Sequence, residues 1–264
     1  MNNQVKYLSP DSPKNWPEKL KREEFQLFLD YDGTLAPFKS DPDQAYPIKG
    51  INQLINKYLE KNILVIIVTG RNSLDIRDKF IKPKIPVIGL HGREYLSAEE
   101  NKPLGIGPRI KSLPDKLLKY INKLVDQNPV KLEDKDNSWA IHLKNNDNLQ
   151  EYLHTKLNKI LQELNYQENW EVISGRKVLE VRYKGWNKAD AVNKYRINEK
   201  LTIYIGDDRT DEDVFKNLSE PGLSIYVQNE DKNLNTKADY YLKNPSDVIK
   251  FLKNLLILRI KLIK

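Results

Sequence analysis

The sequence predicts an α/β protein in which a parallel sheet with covering helices is interrupted by a smaller α+β segment. Two observations carry this. Four short, nearly continuous apolar runs, "FQLFL" (25–29), "ILVIIV" (63–68), "IPVIGL" (85–90) and "LTIYI" (201–205), lack the alternation of a half-exposed strand. Such runs fit strands buried on both faces, as in parallel sheets. The interval 105–182 instead reads helix, two strands, helix, two strands, which suits an antiparallel sheet backed by two helices. The expected organisation is a core domain over 23–104 and 183–264, an inserted domain over 105–182, and an N-terminal extension over 1–22.

Each element has its own reason. "IKGINQLINKYLEKN" (48–62) repeats apolar residues three and four apart, and "NSLDIRDKF" (72–80) and "TDEDVFKNL" (210–218) follow strand ends directly. These predict helices between parallel strands. The insert offers helices in "RIKSLPDKLLKYINKLVDQ" and "DNLQEYLHTKLNKILQELN", and strands in "VKLED", "SWAIHL", "WEVIS" and "KVLEVRY". Glycine-bearing "KPLGIGP" and "YKGWN" border it and suit hinges. The closing "FLKNLLILRIKLIK" has helical spacing with interspersed lysines, which points to a last helix packed on its own domain rather than on a membrane surface.

Composition excludes several classes. With 264 residues, 39% hydrophobic and 31% charged, the chain can bury a core. It has no cysteine, so catalysis or metal binding through thiolates is out and oxygen or nitrogen groups must serve. The 44 Lys and Arg, net charge +7, are scattered among 37 acids, which argues against a nucleic-acid-binding stripe. A basic surface also attracts small phosphorylated substrates. No apolar run is long enough for a membrane span, and the polar start lacks a secretory signal's apolar centre, so a cytoplasmic protein is expected.

The chemistry gathers where the strands end. The first run closes with Asp30, Asp32 and Thr34, the second with Thr69, Gly70 and Arg71, the third with Gly89, His91 and Gly92, and the fourth with Gly206, Asp207 and Asp208. Ligands of open α/β sheets bind outside those ends, so Arg71 and His91 become candidate substrate contacts. Asp-Gly favours a hairpin turn, but Pro37 weakens that reading, and a calcium loop starting at Asp30 would need Gly and Glu where Leu35 and Asp41 stand. Two carboxylates one residue apart can divide labour, one attacking and one holding a proton. Adjacent Asp207 and Asp208 repel unless a cation neutralises them, and Mg2+ accepts such an all-oxygen set. Asp211, Glu212 and Asp213 fit helix-start chemistry as well as function, with Thr210 and Asp213 forming a capping box. Thr69 offers a hydroxyl to a phosphoryl oxygen at a helix start. Lys188, alone a surface charge, becomes in this company a cation for the nucleophile and the phosphate. His142 and His154 read as packed or exposed residues.

Taken in order, "DYDGT", "VTGR", "NK" and "GDDRTDED" resemble the four motifs of the haloacid dehalogenase superfamily of phosphotransferases, and the insert resembles its type IIB cap. "LDYDGTLAP", "GLHGREY", "VKLEDKDNSWAIH" and "SGRKVLEVR" are similar to signatures of the trehalose-6-phosphate phosphatase family. The resemblance implies a Rossmannoid core with a cap and a Mg2+-dependent hydrolysis of trehalose 6-phosphate. Asp30 would then form an aspartyl-phosphate and Asp32 would serve as acid and base. The cation would sit on Asp30, the Asp32 main-chain carbonyl and Asp207, with Asp208 nearby, while Thr69 and Lys188 hold phosphoryl oxygens. It further implies sugar recognition by Glu133, Lys135, Arg176 and Glu180, although Arg176 stands where the family has lysine and Lys144 where it has arginine. A trehalose-6-phosphate synthase would be the pathway partner. Neighbouring possibilities are a sucrose-6-phosphate or mannosyl-3-phosphoglycerate phosphatase and a silent sugar-phosphate sensor. A signalling receiver, which would lack the cap and the Asp-x-Asp pair, is the remaining alternative.

Overall fold

The computed structural model describes residues 5–22, 24–39, 41–107, 114–134, 138–143, 147–175, 177–228 and 235–263. In chain order, β1 is Lys6–Tyr7, α1 Glu18–Arg22, β2 Phe25–Asp30, α2 Ile51–Leu59, β3 Val65–Val68 and α3 Ser73–Asp75. A π-helical turn over Ile76–Phe80 continues α3, then come β4 Val87–Gly89, β5 Glu94–Leu96 and β6 Leu104–Gly105. The insert contributes α4 Asp115–Asp126, β7 Val130–Asp134, β8 Ser138–Leu143, α5 Asp147–Glu163, β9 Trp170–Gly175 and β10 Val178–Tyr183. The chain closes with α6 Lys188–Tyr195, β11 Leu201–Gly206, α7 Glu212–Asn217, β12 Gly222–Val227, β13 Tyr240–Leu242 and α8 Pro245–Ile263.

These elements divide into two compact units, Met1–Ile106 with Lys188–Asp207 and Asp211–Lys264, and Gly107–Asn187 with Asp208–Thr210. The first holds a sheet of order β1-β13-β12-β11-β2-β3-β4-β5-β6. Pairing is parallel from β1 to β4 and antiparallel for β4-β5 and β5-β6. All six residues of β2, β11 and β12 are buried, which explains their continuous apolar sequence. On one face Leu27, Leu29, Ile67, Ile203, Ile205 and Ile225 share a core with Ile51, Leu54 and Tyr58 of α2 and Phe251 and Leu255 of α8. The N-terminal segment adds Leu8, Trp16 and Leu20 to that core.

Register fixes where the chemistry emerges. Ile205 lies opposite Leu29, and Asp30 opposite Val68, so residues 30, 69 and 207 leave the sheet at one edge. The predicted helix over 72–80 is split, because three α-helical residues give way to the π turn before Ile81 turns extended ahead of Pro83. α7 begins at Glu212 with Asp211 as N-cap and no side-chain cap bond, so the expected Thr210–Asp213 box does not start it.

The second unit is the α4-β7-β8-α5-β9-β10 array, its antiparallel sheet ordered β7-β8-β10-β9. Leu117 and Ile121 of α4, Leu153 and Leu157 of α5, and Trp139, Ile141, Trp170, Leu179 and Val181 of the sheet make its own core. Among the described residues, no helix is long and apolar enough to cross a membrane.

Candidate active site

β2 delivers Asp30 at its last position, where the chain turns. Leu35 and Ala36 N–H groups donate to the Tyr31 carbonyl at 2.9 and 3.0 Å, and Gly33 N–H donates to the Ala36 carbonyl at 2.8 Å. Gly33 sits at φ 75°, and a Cβ there would collide with the Asp207 carboxylate. Glycine is therefore required twice, for the backbone conformation and for the close approach of Asp207.

Lys188, at the first position of α6, lies almost fully buried between two acids. Its Nζ donates to Asp30 Oδ1 at 2.8 Å and to Asp211 Oδ1 at 2.7 Å. Asp211 also accepts from the Tyr204 hydroxyl at 2.5 Å and, through Oδ2, from the Asp207 N–H at 3.0 Å. Burial works against the Lys188 charge, but Asp211 and Asp30 outweigh it and carry its pKa up, so it stays cationic. Burial pushes the Asp30 carboxyl well above its ordinary value against the pull of Lys188, with Asp211 and Asp32 adding to the rise. Three buried carboxylates, Asp30, Asp207 and Asp211, thus crowd around one lysine.

Oxygens of Asp30, Asp207 and Asp211 lie within 4.8 Å of one another. An all-carboxylate donor set of this kind fits a hard divalent cation such as Mg2+, and the Gly33 cradle aims Asp207 into the group. Asp32 and Asp208 are not in this cluster. Asp32 is gripped by Arg71, and Asp208 falls in the second unit, its Oδ1 accepting from the Arg209 N–H at 2.6 Å.

The ends of β3 and β4 are tied to each other. The Thr69 hydroxyl accepts the Arg71 N–H at 3.1 Å, which leaves its own proton to donate. Buried Glu94 accepts the Ser73 N–H at 2.5 Å, and Leu90 N–H donates to the Arg71 carbonyl at 2.9 Å. His91, at φ 54°, lays its ring where a Cβ at Gly70 would sit. Arg71 donates to both Asp32 oxygens and to the Pro42 carbonyl, and its guanidinium lies over Tyr31 and Phe80.

In the second unit, Glu133 of β7 and Glu180 of β10 are both opposite Ala140 of β8, so the two acids flank a small residue in one row. His142 Nε2 lies 2.6 Å from Glu133 Oε2. Lys135 and Arg176 lie outside the described residues. Sequence reasoning passed over Tyr204 and Glu94 and read Asp211 as helix-start chemistry as readily as functional. The spacing of Asp211, four residues after Asp207, was the available signal.

The trehalose-phosphatase family model matches residues 28–246. The chain belongs to the trehalose-phosphatase family. This family member is 30% identical over 254 residues to trehalose-phosphate phosphatase B of Arabidopsis thaliana, covering 89% of this chain and 67% of that one. It is therefore a phosphatase. Its fold matches the C-terminal domain of C. albicans trehalose-6-phosphate phosphatase with TM-score 0.80 at 22% identity, over 98% of this chain and 99% of that one. A haloacid dehalogenase-like hydrolase from Bacteroides thetaiotaomicron matches with TM-score 0.62 at 16% identity, over 88% and 98% of the two chains. This trehalose-phosphatase family chain has the haloacid dehalogenase-like fold, and its separate antiparallel unit agrees with the expected cap.

Proposed function

We propose that this protein is a Mg2+-dependent phosphatase that hydrolyses trehalose 6-phosphate to trehalose and phosphate through an aspartyl-phosphate on Asp30. A carboxylate oxygen of Asp30 attacks phosphorus while the sugar oxygen leaves with a proton from Asp32. Asp32, now a carboxylate, takes a proton from the water that attacks the Asp30 phosphate, releasing phosphate and restoring Asp30. Lys188 and the Thr69 hydroxyl balance and orient the phosphoryl oxygens. Asp30, Asp207 and the Asp32 main-chain carbonyl are the groups that would hold Mg2+, whose contribution is charge neutralisation as dianion and carboxylate approach. Glu133 and Glu180, with Lys135 and Arg176, read the sugar. A trehalose-6-phosphate synthase in the cytoplasm would supply the substrate.

The observation that carries this reading is the buried Asp30–Lys188 contact beside Asp207, in a chain matching the trehalose-phosphatase model across both units. The test is phosphate release with Mg2+ from trehalose 6-phosphate, glucose 6-phosphate and sucrose 6-phosphate. Trehalose 6-phosphate should be turned over far faster. A flat profile would remove the sugar assignment and leave the phosphatase standing.

A further inference from the structure

Tyr204 lies on β11, three residues before Asp207, and is fully buried. Its neighbours Ile203 and Ile205 enter the core shared with α2 and α8, whereas its own ring meets Phe215 of α7 edge-on at 5.9 Å. The hydroxyl donates at 2.5 Å to Asp211 Oδ1, the oxygen that also accepts Lys188 at 2.7 Å. Lys188 in turn bonds Asp30 at 2.8 Å. A hydrogen-bonded line therefore runs from Tyr204 through Asp211 and Lys188 to Asp30.

We infer that Tyr204 is a positioning residue, which holds Asp211 on Lys188 and so fixes the lysine against the attacking carboxylate. Proximity alone would let Asp211 serve as a third cation ligand, since its oxygen lies within 4.8 Å of those of Asp30 and Asp207. Its donors say otherwise. A carboxylate offers about four lone-pair sites. Tyr204, Lys188 and the Asp207 N–H take three of them, two from β11 and its end and one from the start of α6. Asp211 is thereby turned to the lysine as a strut, and the cation is left to Asp30 and Asp207. Burial, followed by the Asp211 charge, pushes the phenol's ionisation far up, so Tyr204 remains a neutral donor throughout.

This rests on the proposed roles of Asp30 and Lys188, and its test separates the two. Tyr204→Phe removes one oxygen and keeps the ring packing. Its kcat should fall about tenfold on trehalose 6-phosphate and on p-nitrophenyl phosphate alike, because Asp30 attacks phosphorus in both. KM and the calorimetric Mg2+ dissociation constant should stay within about twofold. Adding Tyr204→Phe to Asp211→Asn should cost nothing further. Wild-type kcat in Tyr204→Phe, independent multiplication of the two effects, or Mg2+ affinity falling in step with kcat would each overturn the inference. If the wild type turned over aryl phosphate but not trehalose 6-phosphate, the sugar assignment would fall while Tyr204 was still judged on the aryl substrate. Asp211→Asn reads the same line from its other member should Phe at 204 not fold, again as a kcat loss at unchanged KM.

Discussion

Arg71 grips both carboxylate oxygens of Asp32, Nε on Oδ2 at 2.7 Å and Nη2 on Oδ1 at 2.5 Å. A two-point grip of this kind adds geometric specificity as well as energy. Arg71 is itself fixed by the Pro42 carbonyl and by the faces of Tyr31 and Phe80. Arg71, a substrate contact expected from sequence, is paired here with the neighbouring acid.

If Arg71 serves Asp32, its loss should depend on the leaving group. A sugar alkoxide needs a proton as it departs, whereas p-nitrophenolate leaves readily without one. Arg71→Met should therefore lower kcat for trehalose 6-phosphate by about a hundredfold and for p-nitrophenyl phosphate by only a few-fold. Steady-state kinetics on the two substrates decide it. A rise in KM shared by both would show Arg71 to be a phosphate anchor instead.

The crowded charge around Lys188 makes the metal-free protein sensitive to pH. Asp30 has a folded pKa well above 3.8, from burial first. The folded state then holds more protons between the two values, so this contribution is present below about pH 4 and is lost as pH rises through the folded value. The Tm gap between Asp30→Asn and wild type should widen as the metal-free proteins are taken upward from about pH 4. Mg2+ should narrow it by binding the folded wild type. Lys188→Met removes the charge that pulls the Asp30 value down and should cost about 3–5 kcal/mol at neutral pH. A gap that stays constant with pH would contradict the charge arrangement.

The sheet was legible because continuous burial leaves a mark in sequence, and "FQLFL", "LTIYI" and their flanking polar ends carried both strands and chemistry. The insert was legible because its alternation of helical and strand periods is local. Asp211 was not, since an acid at a helix start looks the same whether it favours the dipole or reaches a lysine 23 residues back in the chain. Nor was β1, whose two residues carry no period and gain their structure only from pairing with Tyr240 and Tyr241.

Gly33 joins backbone strain to the metal group. Alanine there would have to adopt φ 75° and would displace the Asp207 carboxylate. The conformation alone costs about 1–2 kcal/mol. Because the collision falls on a proposed cation ligand, Gly33→Ala should also weaken calorimetric Mg2+ binding by about tenfold or more. Unchanged Mg2+ affinity in a folded variant would remove Asp207 from the cation site.

The N-terminal segment, expected to be an extension, is built into the first unit. Trp16 is 3% exposed, its ring centroid is 4.8 Å from that of Phe251, and its Nε1 donates to the Ser9 carbonyl at 2.8 Å. Leu8 N–H continues the β1 pairing onto the Tyr241 carbonyl at 2.9 Å, so the segment also covers the open edge of β13. Trp16→Ala should lower unfolding free energy by about 3–5 kcal/mol, read as a shift in the urea midpoint. Removing residues 1–22 should cost more, because it adds an uncovered strand edge, and should increase association. The site chemistry draws on none of these residues, so kcat per folded molecule should hold in Trp16→Ala. An unchanged urea midpoint in the truncated chain would mean that the segment contributes nothing to the fold it covers.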